Sequence, residues 1–195
     1  KRALQRGDLD MAAQTGNLKI KPYPKEEDED MKGQKQIFST GKDDWGTPPA
    51  LIEAIQNRFN VKFTIDAAAE AENSICPVYY SVLDNALSHE WGTSKDVVWC
   101  NPPYSECAEF VTHGLLQSRV AAWQVFMLIP ARTDTAWWHE NIMDCVSADV
   151  YFIKGRLKFV GAENSAPFPS ALIHFCSDNN NRFLPLELST KERGF

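Results

Sequence analysis

The tetrapeptide Asn101-Pro102-Pro103-Tyr104 contains the residue types with the most clearly defined chemistry in this chain. The Asn101 side-chain oxygen and the Pro102 carbonyl can accept two hydrogen bonds from one stiff turn, because each proline fixes its own φ and lacks an N–H. Two such acceptors suit the N–H hydrogens of a planar amine, such as the exocyclic amine of adenine, while positive charge develops on its nitrogen. The Tyr104 ring offers a flat face on which a base turned out of a duplex can stack. The motif alone therefore indicates methylation of a planar amine, a reaction that needs in-line positioning more than a strong base.

The same four residues are also common in ordinary turns between a strand and a helix. An apolar strand, Asp96 to Cys100, precedes them, and a helical pattern follows them, with Ser105 expected to cap that helix and Glu106 in its first turn. A strand that ends in the motif and a helix that begins just after it are the context that the chemistry requires. This setting favours the catalytic interpretation over the simple turn.

Helical and strand patterns alternate through the rest of the chain. Apolar residues recur at helical spacing in Ala50 to Phe59 and Thr135 to Cys145. The predicted strands are Val61 to Ile65, Asp96 to Cys100, Ala121 to Ile129, Asp149 to Ile153, Leu157 to Val160 and Ala171 to Cys176. The alternation predicts an α/β fold with a mostly parallel sheet, to which two or three strands are added late in hairpin style. Ligands of such sheets bind at the carboxyl ends of the strands, where both Asp66 and Asn101 are expected.

Residues 1–40 contain few large apolar side chains and include an acidic run, Glu26-Glu27-Asp28-Glu29-Asp30. Such a composition cannot bury enough surface to offset the entropy of ordering it, so this part is expected to be a flexible tail or linker. A short helix near Leu4 to Ala13 is the one regular element that its pattern allows. Residues 41–195 are then expected to form one domain, with the folded part beginning near Trp45.

The formal net charge of −6 argues against a broad basic surface that binds nucleic acid without specificity. Residues 1–40 hold eight Lys or Arg and seven Asp or Glu, which leaves −7 for residues 41–195. Binding to DNA would therefore require a local basic patch. The five cysteines form no Cys-x-x-Cys pair and the four histidines are scattered, so we expect buried thiols and no metal. No stretch is apolar enough to cross a membrane, and a protein of the cytoplasm of whatever cell makes it is expected.

Six short stretches from about Asp44 to Phe175 carry a more specific signal through their order. They are Trp45-Gly46-Thr47-Pro48-Pro49, Asp66-Ala67-Ala68-Ala69 with Asn73, Asn101-Pro102-Pro103-Tyr104-Ser105, Leu128-Ile129-Pro130-Ala131-Arg132-Thr133-Asp134-Thr135, Lys154-Gly155-Arg156-Leu157-Lys158-Phe159 and Pro167-Phe168-Pro169-Ser170-Ala171. In this order they resemble the phage-type DNA adenine methyltransferases, a Dam-like group common in bacteriophages and prophages. The resemblance implies a Rossmann-like S-adenosylmethionine-dependent methyltransferase fold with helices on both faces of the sheet. It also implies S-adenosylmethionine as methyl donor, the N6 amine of adenine in double-stranded DNA as acceptor, and residues 41–195 as the catalytic domain.

The resemblance implies cofactor contacts at the start of the first predicted helix. Thr47 and Pro48 are expected near the methionine part of S-adenosylmethionine, although a helix that simply begins with a proline is equally compatible with these residues. Trp45 is expected either to cover the cofactor or to fill the core.

A second group of cofactor contacts is expected after the next strands. Asp66 and Ala67 lie where the first strand would meet the cofactor, but Ala67-Ala68-Ala69 replaces the usual glycine-rich loop. Small residues allow close approach, although they adopt positive φ less readily than glycine. Asp84 is the candidate for the ribose or the adenine amine of the cofactor, with a solvated loop aspartate as the alternative.

Four basic residues are candidates for contacts with DNA phosphates: Arg132, Lys154, Arg156 and Lys158. If Leu157 to Val160 is a strand, Arg156 and Lys158 share one face, which would reconcile DNA binding with the negative net charge. A solvated strand face is the alternative. Trp137-Trp138-His139 is expected either to border the DNA or to be buried.

Other acceptors remain open from the residues alone. An amine methyltransferase acting on cytosine N4, on adenine in RNA or on a protein glutamine could use a similar motif, and a catalytically inactive DNA-binding module is a further alternative. Cytosine enzymes more often resemble a Ser-Pro-Pro form, so Asn101 disfavours them. Glutamine enzymes share Asn-Pro-Pro-Tyr, but usually with a glycine-rich loop that this chain lacks.

Overall fold

The computed structural model describes residues 45–178 and 180–195. The predicted tail at 1–40 and its short helix near Leu4 to Ala13 lie outside the described residues. Both of them, and the domain boundary at residue 41, therefore stay predictions. No helix within the described ranges is long and apolar enough to span a membrane.

The described residues form two long helices, one short helix and a seven-stranded sheet. The helices are α1 (Pro49–Phe59), α2 (Cys107–Val120) and the short α3 (Ala136–Trp138), which continues into a π-helical turn at His139–Met143. The strands are β1 (Ile65–Asp66), β2 (Val78–Tyr79), β3 (Val97–Cys100), β4 (Gln124–Pro130), β5 (Ala148–Ile153), β6 (Ser170–Phe175) and β7 (Phe183–Leu186). Short 3-10 turns occur at Ala86–Ser88 and Tyr104–Glu106.

The sheet is mostly parallel, as predicted. Its strand order is β2-β1-β3-β4-β6-β5-β7, and the pairs among β1, β2, β3 and β4 are all parallel. Only β6 runs the other way, between β4 and β5, and β7 pairs parallel with β5. The late antiparallel pair of β5 and β6 confirms the expectation of strands added in hairpin style.

Helices cover both faces of this sheet, which confirms the predicted layering. Leu51, Ile52 and Ile55 of α1 are buried against one face, and α1 begins with Pro49 in its first turn and ends at Asn60 with a left-handed backbone (φ 52°). The α2 helix buries Cys107, Phe110 and Val111 against the opposite face. Strand β4 lies between the two layers and is buried at every position. All five cysteines are buried with free thiols, as expected.

The predicted strand at Val61 to Ile65 is too long, because most of it bonds to α1 instead of to the sheet. The backbone N–H groups of Val61 and Phe63 donate to the carbonyl and side-chain oxygens of Gln56. Strand pairing therefore begins only with the Thr64 N–H, which donates to the Val97 carbonyl. The predicted Ala121 to Ile129 strand likewise begins later, at Gln124.

The prediction of a strand at Leu157 to Val160 is wrong. The stretch has the alternating burial of a strand, with Leu157 and Phe159 buried. Its N–H groups, however, donate to two separate loops and not to one neighbouring strand. The Lys158 N–H donates to the Arg193 carbonyl and the Val160 N–H to the Gly46 carbonyl, and one isolated bridge pairs Gly46 with Val160. We call residues 154–160 the basic segment.

The prediction of Ser105 as the helix cap is also wrong. Residues Tyr104–Glu106 form a 3-10 turn, so Glu106 becomes the residue that precedes α2, and no side chain caps the helix. Two strands were not predicted at all. Strand β2 has only two residues, and β7 contains Pro185, which places it at the edge of the sheet.

Candidate active site

The carboxyl ends of the parallel strands bring the candidate residues to one edge of the sheet. Strand β1 ends at Asp66, which pairs in register with Trp99, and Asn101 follows two residues later, directly after β3. Arg132 follows β4 and Lys154 follows β5 in the same way. The edge therefore collects a buried acid, the Asn-Pro-Pro-Tyr motif and basic side chains from four different strands.

The Asn101 amide is held in one orientation by a backbone carbonyl. Its Nδ2 donates to the Trp45 carbonyl oxygen at 2.6 Å, so the amide nitrogen faces the start of the folded chain. Its Oδ1 is buried and has no hydrogen-bond partner within the described residues. An unpaired buried acceptor costs free energy, on the order of 1–3 kcal/mol, and native proteins seldom retain one without a use. Asn101 thus presents an oriented, vacant acceptor at the sheet edge.

Aromatic rings surround the motif on its outer side. The Tyr104 ring meets the Phe168 ring edge to face at 5.0 Å between centroids and the Phe159 ring at 6.3 Å. Trp45 packs on Phe159 at 6.2 Å and is half-buried. Phe159 and Phe168 were not among the predicted site residues, although both lie in stretches that carry the family resemblance. Their apolar, aromatic character beside the motif is the signal that could have identified them.

Thr47 and Pro48 are both buried at the start of α1. The Pro48 carbonyl accepts the first helical hydrogen bond, from the Leu51 N–H at 2.9 Å, and Pro49 occupies the first turn. The helix-start interpretation of this stretch is therefore correct, and it is compatible with a role beside a ligand. Trp45 contributes its ring to the core packing and its carbonyl to Asn101.

Asp66 is 3% exposed, and its carboxylate accepts two backbone N–H groups, from Ile75 at 3.1 Å and from Ala68 at 3.4 Å. Burial raises the pKa of Asp66 to about 6, against the lowering effect of these two hydrogen bonds. Ala67 is fully buried, and its N–H donates to the Trp99 carbonyl at 2.8 Å. The Asp66 side chain therefore stabilises the loop after β1 through these two hydrogen bonds. The Ala67 backbone extends the pairing of β1 with β3.

Asp84 lies in the loop after β2, on the same edge of the sheet, and is exposed. Its Oδ2 accepts hydrogen bonds from the Ser81 N–H at 2.8 Å and the Ser81 hydroxyl at 2.7 Å. These hydrogen bonds lower the pKa of Asp84 below its ordinary value. The side chain is thus an anion that stabilises its own turn.

The four predicted cations lie beyond the carboxyl ends of β4 and β5, but they are not equivalent. Lys154 pairs with Glu187 at 3.0 Å, and both side chains are about three-quarters exposed (75% and 73%), so the pair contributes little stability. Arg156 is exposed, whereas Arg132 and Lys158 are half-buried. Trp138, proposed as either a DNA neighbour or a core residue, is fully buried, and Trp137 packs partly against the core.

A different polar cluster lies at the opposite edge, where β4 and β5 begin. The Asp149 carboxylate is fully buried and pairs with Arg182 at 2.6 Å. His174 bonds to Gln124 at 2.8 Å and stacks on Phe126, and burial lowers the pKa of His174 to about 4. Across the described ranges, no group of three or more His, Cys, Asp or Glu side chains is arranged to hold a metal ion.

Comparison with known proteins identifies a family model and several relatives that match this chain. The family model for DNA N-6-adenine-methyltransferase (Dam) matches residues 34–171. The DNA N-6-adenine-methyltransferase of Escherichia phage T1 is 34% identical over 135 residues, which cover 63% of this chain and 56% of the relative. The protein of the same description from Haemophilus phage HP1 (strain HP1c1) is 29% identical over 133 residues, covering 68% of this chain and 75% of that protein.

The chain spans little more than half the length of the phage T1 relative that it matches. Among solved structures, the 23S rRNA methyltransferase ErmE is similar over 74% of this chain and 54% of its own, with a TM-score of 0.37 and 15% identical residues. The family match includes the whole site edge from Trp45 to Ala171, with Asn101 and its flanking strand at its centre. The chain belongs to the DNA N-6-adenine-methyltransferase (Dam) family.

Proposed function

We propose that this chain transfers a methyl group from S-adenosylmethionine to the exocyclic N6 amine of adenine in double-stranded DNA. The observation that carries the proposal is the buried, oriented and unpartnered Oδ1 of Asn101. An adenine amine placed against it would donate one N–H to this oxygen, which satisfies the acceptor and stabilises the positive charge that develops on the nitrogen. The Pro102 carbonyl, on the same turn, is the proposed acceptor for the second N–H.

Tyr104 is proposed to stack on the extruded base. An adenine inside a duplex cannot reach a site at a sheet edge, so the base must leave the stack, and an aromatic face compensates for part of the lost stacking. The contacts of Tyr104 with Phe159 and Phe168 hold its ring at a defined angle. Pro102 and Pro103 stiffen the backbone between the acceptors and this ring, because their φ angles are nearly fixed.

The residues at the end of β1 fit S-adenosylmethionine as the donor. The donor carries a positive sulfonium and a positive ammonium group, and the sulfonium supplies the methyl group and leaves as a neutral thioether. Asp66 is a buried carboxylate that forms no ion pair within the described residues, so a cationic ligand would complement it. Thr47 and Pro48, with Trp45 beside them, are the proposed neighbours of its methionine part. Ala67 is proposed to leave room for it, and Asp84 to bind its ribose or adenine amine.

Arg132, Lys154, Arg156 and Lys158 are proposed to contact DNA phosphates. They follow the carboxyl ends of β4 and β5, the edge from which the motif also projects. Contacts with phosphates position a duplex without reading its sequence, so a local group of cations is sufficient. A local group is compatible with the net charge of −6, because contacts with phosphates require positive charge only where the DNA is bound.

The test is a methyl-transfer assay that offers three acceptors in parallel. Donor with a radiolabelled methyl group is incubated with duplex DNA, with RNA and with a mixture of proteins, and the DNA is digested to nucleosides. We expect label in N6-methyladenine from the duplex. Label in N4-methylcytosine, in RNA or in protein glutamine, or no label in any acceptor, would refute the proposed substrate.

A variant of the acceptor tests the role of Asn101. We expect Asn101→Ala to lower kcat by about 10²–10³-fold, as removal of one charge-stabilising group does elsewhere, with donor affinity nearly unchanged. Asn57→Ala is the matched control, since Asn57 is an exposed asparagine of α1, and its activity should equal that of the wild type. Equal activity of the two variants would contradict the role of Asn101.

A further inference from the structure

The C-terminal segment, residues 187–195, packs tightly against the basic segment. The Arg193 carbonyl accepts the Lys158 N–H at 2.8 Å, and the Glu187 carboxylate pairs with Lys154 at 3.0 Å. A Cβ at Gly194 (φ 90°) would overlap the Lys158 carbonyl, so the two backbones are in direct contact there. Residues that are some 35 positions apart in the sequence therefore form one surface.

This contact concentrates positive charge. The chain has 20 Lys and Arg residues, of which eight lie before residue 41. Five of the remaining twelve lie in the two segments, namely Lys154, Arg156, Lys158, Lys191 and Arg193, against only two acids, Glu187 and Glu192. The other charged residues of this domain are mainly acidic. Such a local concentration of Lys and Arg is the feature expected of a phosphate-binding surface.

Both acids of this surface are already engaged. Glu187 is paired with Lys154, and the Glu192 carboxylate accepts the Ser189 N–H at 2.6 Å, which closes a local turn. The Arg193 guanidinium has neither acid as a partner. Its Nε is buried without a hydrogen bond within the described residues, its Nη1 lies beside Gly155, and its Cζ stands 5.6 Å from the centre of the Phe195 ring. Among the described residues, the charge of Arg193 is therefore not compensated by an ion pair.

The surface is continuous with the candidate active site. Lys158 precedes Phe159, whose ring contacts both Trp45 and Tyr104. A Cβ at Gly194 would stand 3.1 Å from Cγ of Pro48, at the start of α1. A duplex whose adenine reached Asn101 would therefore pass close to both segments.

We propose that the C-terminal segment forms part of the DNA-binding surface, with Arg193 binding a backbone phosphate beside those bound by Arg156 and Lys158. This inference rests on the proposed function in one respect, since it presupposes that the chain binds duplex DNA. A phosphate would supply an anion for Arg193, whose charge is paired with no acid among the described residues, and Arg suits phosphate because its planar donors can bind two oxygens at once.

The test is the salt dependence of duplex binding by the full chain. Affinity is measured by fluorescence anisotropy between 50 and 300 mM salt for the wild type, Arg193→Gln and Arg193→Lys, with Lys95→Gln as the control. Lys95 is an exposed cation that precedes β3 at the opposite edge of the sheet. We expect Arg193→Gln to reduce the slope of log affinity against log salt by about 1 and to weaken binding severalfold at low salt. Arg193→Lys should retain the slope, because the charge remains, and Lys95→Gln should match the wild type.

Two results would overturn the inference. One is a slope for Arg193→Gln equal to that of Lys95→Gln. The other is an equal loss of affinity in Arg193→Gln and Arg193→Lys together with a lower melting temperature, which would identify a packing role. The assay needs no methyl transfer, so it is independent of catalysis. A wild type that binds duplex with the expected slope but places no label in N6-methyladenine would refute the proposed function and leave this inference intact.

Discussion

At the scale of single residues, one amide and one carboxylate are the most unusual polar groups at the candidate site. Asn101 uses its nitrogen to bind the Trp45 carbonyl, which leaves its oxygen as the acceptor. Rotation of the amide would place the oxygen against another oxygen, so this contact selects one of its two orientations. Asp66 differs from Asn101, because both of its side-chain oxygens accept hydrogen bonds from backbone N–H groups. Its carboxylate is nevertheless buried, so its charge is poorly solvated.

The raised pKa of Asp66 predicts a specific dependence of stability on pH. The folded pKa of about 6 exceeds the ordinary value of 3.8, so the folded state binds the proton more tightly than the unfolded chain does. The stabilisation by this proton is complete below pH 4 and is lost as the pH rises through 6, by about 3 kcal/mol in total. We expect the free energy of unfolding of the wild type, relative to that of Asp66→Asn, to fall by this order between pH 4 and pH 7.

Urea unfolding of both proteins at several pH values measures the difference. Asn resembles the protonated form of Asp66, because each has one carbonyl oxygen that can accept well from the two N–H groups, so the two proteins are expected to have similar stability at low pH. The prediction concerns the change of the difference with pH, because Asn does not titrate in this range. Parallel profiles of the two proteins from pH 4 to 7 would show that Asp66 does not titrate in this range.

At the scale of elements, the site depends on segments that belong to no regular strand. The chain at Gly46 bridges to Val160, whose N–H donates to the Gly46 carbonyl at 2.8 Å. This bridge holds the preceding Trp45 carbonyl, and through it the Asn101 amide. The basic segment is therefore a positioning element for the motif as well as a source of cations.

The fit at this bridge predicts a rescue by exchange of side-chain size. A Cβ at Gly46 would stand 3.2 Å from Cβ of Val160, closer than an ordinary van der Waals contact, so the two residues would have to move apart by a few tenths of an ångström. We expect Gly46→Ala to lower kcat by about tenfold, because the displaced Trp45 carbonyl would misalign Asn101, with a smaller effect on KM for DNA. The double variant Gly46→Ala with Val160→Gly should recover most of the activity, since it removes the opposing Cβ. If kcat of the double variant equals that of Gly46→Ala, the contact between positions 46 and 160 is not the cause of the loss.

At the scale of the whole molecule, the two edges of the sheet differ in how completely their polar groups are paired. The carboxyl edge has the vacant acceptor, the isolated carboxylate and the cations. The amino edge has the Asp149–Arg182 ion pair and the bonded His174, all with their partners in place. Because the sheet separates these edges by the length of its strands, changes at one edge should leave the geometry of the other intact.

This separation predicts a loss of stability without a loss of catalysis. Asp149→Ala leaves Arg182, 56% exposed, without its partner and removes a buried carboxylate that also accepts the Arg182 backbone N–H. We expect the free energy of unfolding to fall by about 2–4 kcal/mol, less than the roughly 3–5 kcal/mol for breaking a fully buried pair, because the Arg182 side chain is 56% exposed and stays solvated. The kcat per folded molecule, measured well below the melting temperature, should stay within about twofold of the wild type, a small change on the scale of transition-state effects. A drop in kcat similar to that of Asn101→Ala would show that the edges are coupled.

The sequence predicts the interior of the sheet well and its margins poorly. Strands β3 to β6 were found from apolar patterns because they are buried and make regular ladders. Residues 61–63 and 157–160 have the same patterns, but the N–H groups that bond there donate to Gln56, Arg193 and Gly46. An apolar pattern reports which side chains are buried, and it carries no information on which carbonyl receives an N–H. For the same reason β2 and β7, which are short and partly exposed, left no pattern to detect.

The sequence by itself determined the α/β class, the Asn-Pro-Pro-Tyr motif after a buried strand and the family resemblance, because these depend on residue identity and local order. The tertiary structure alone decided the orientation of Asn101, which depends on a carbonyl 56 residues earlier. It alone also joined Arg193 to the basic segment and brought Phe168 to Tyr104. Contacts between residues so far apart in the chain arise from packing of the whole domain, and no local pattern encodes which distant group will occupy the neighbouring position.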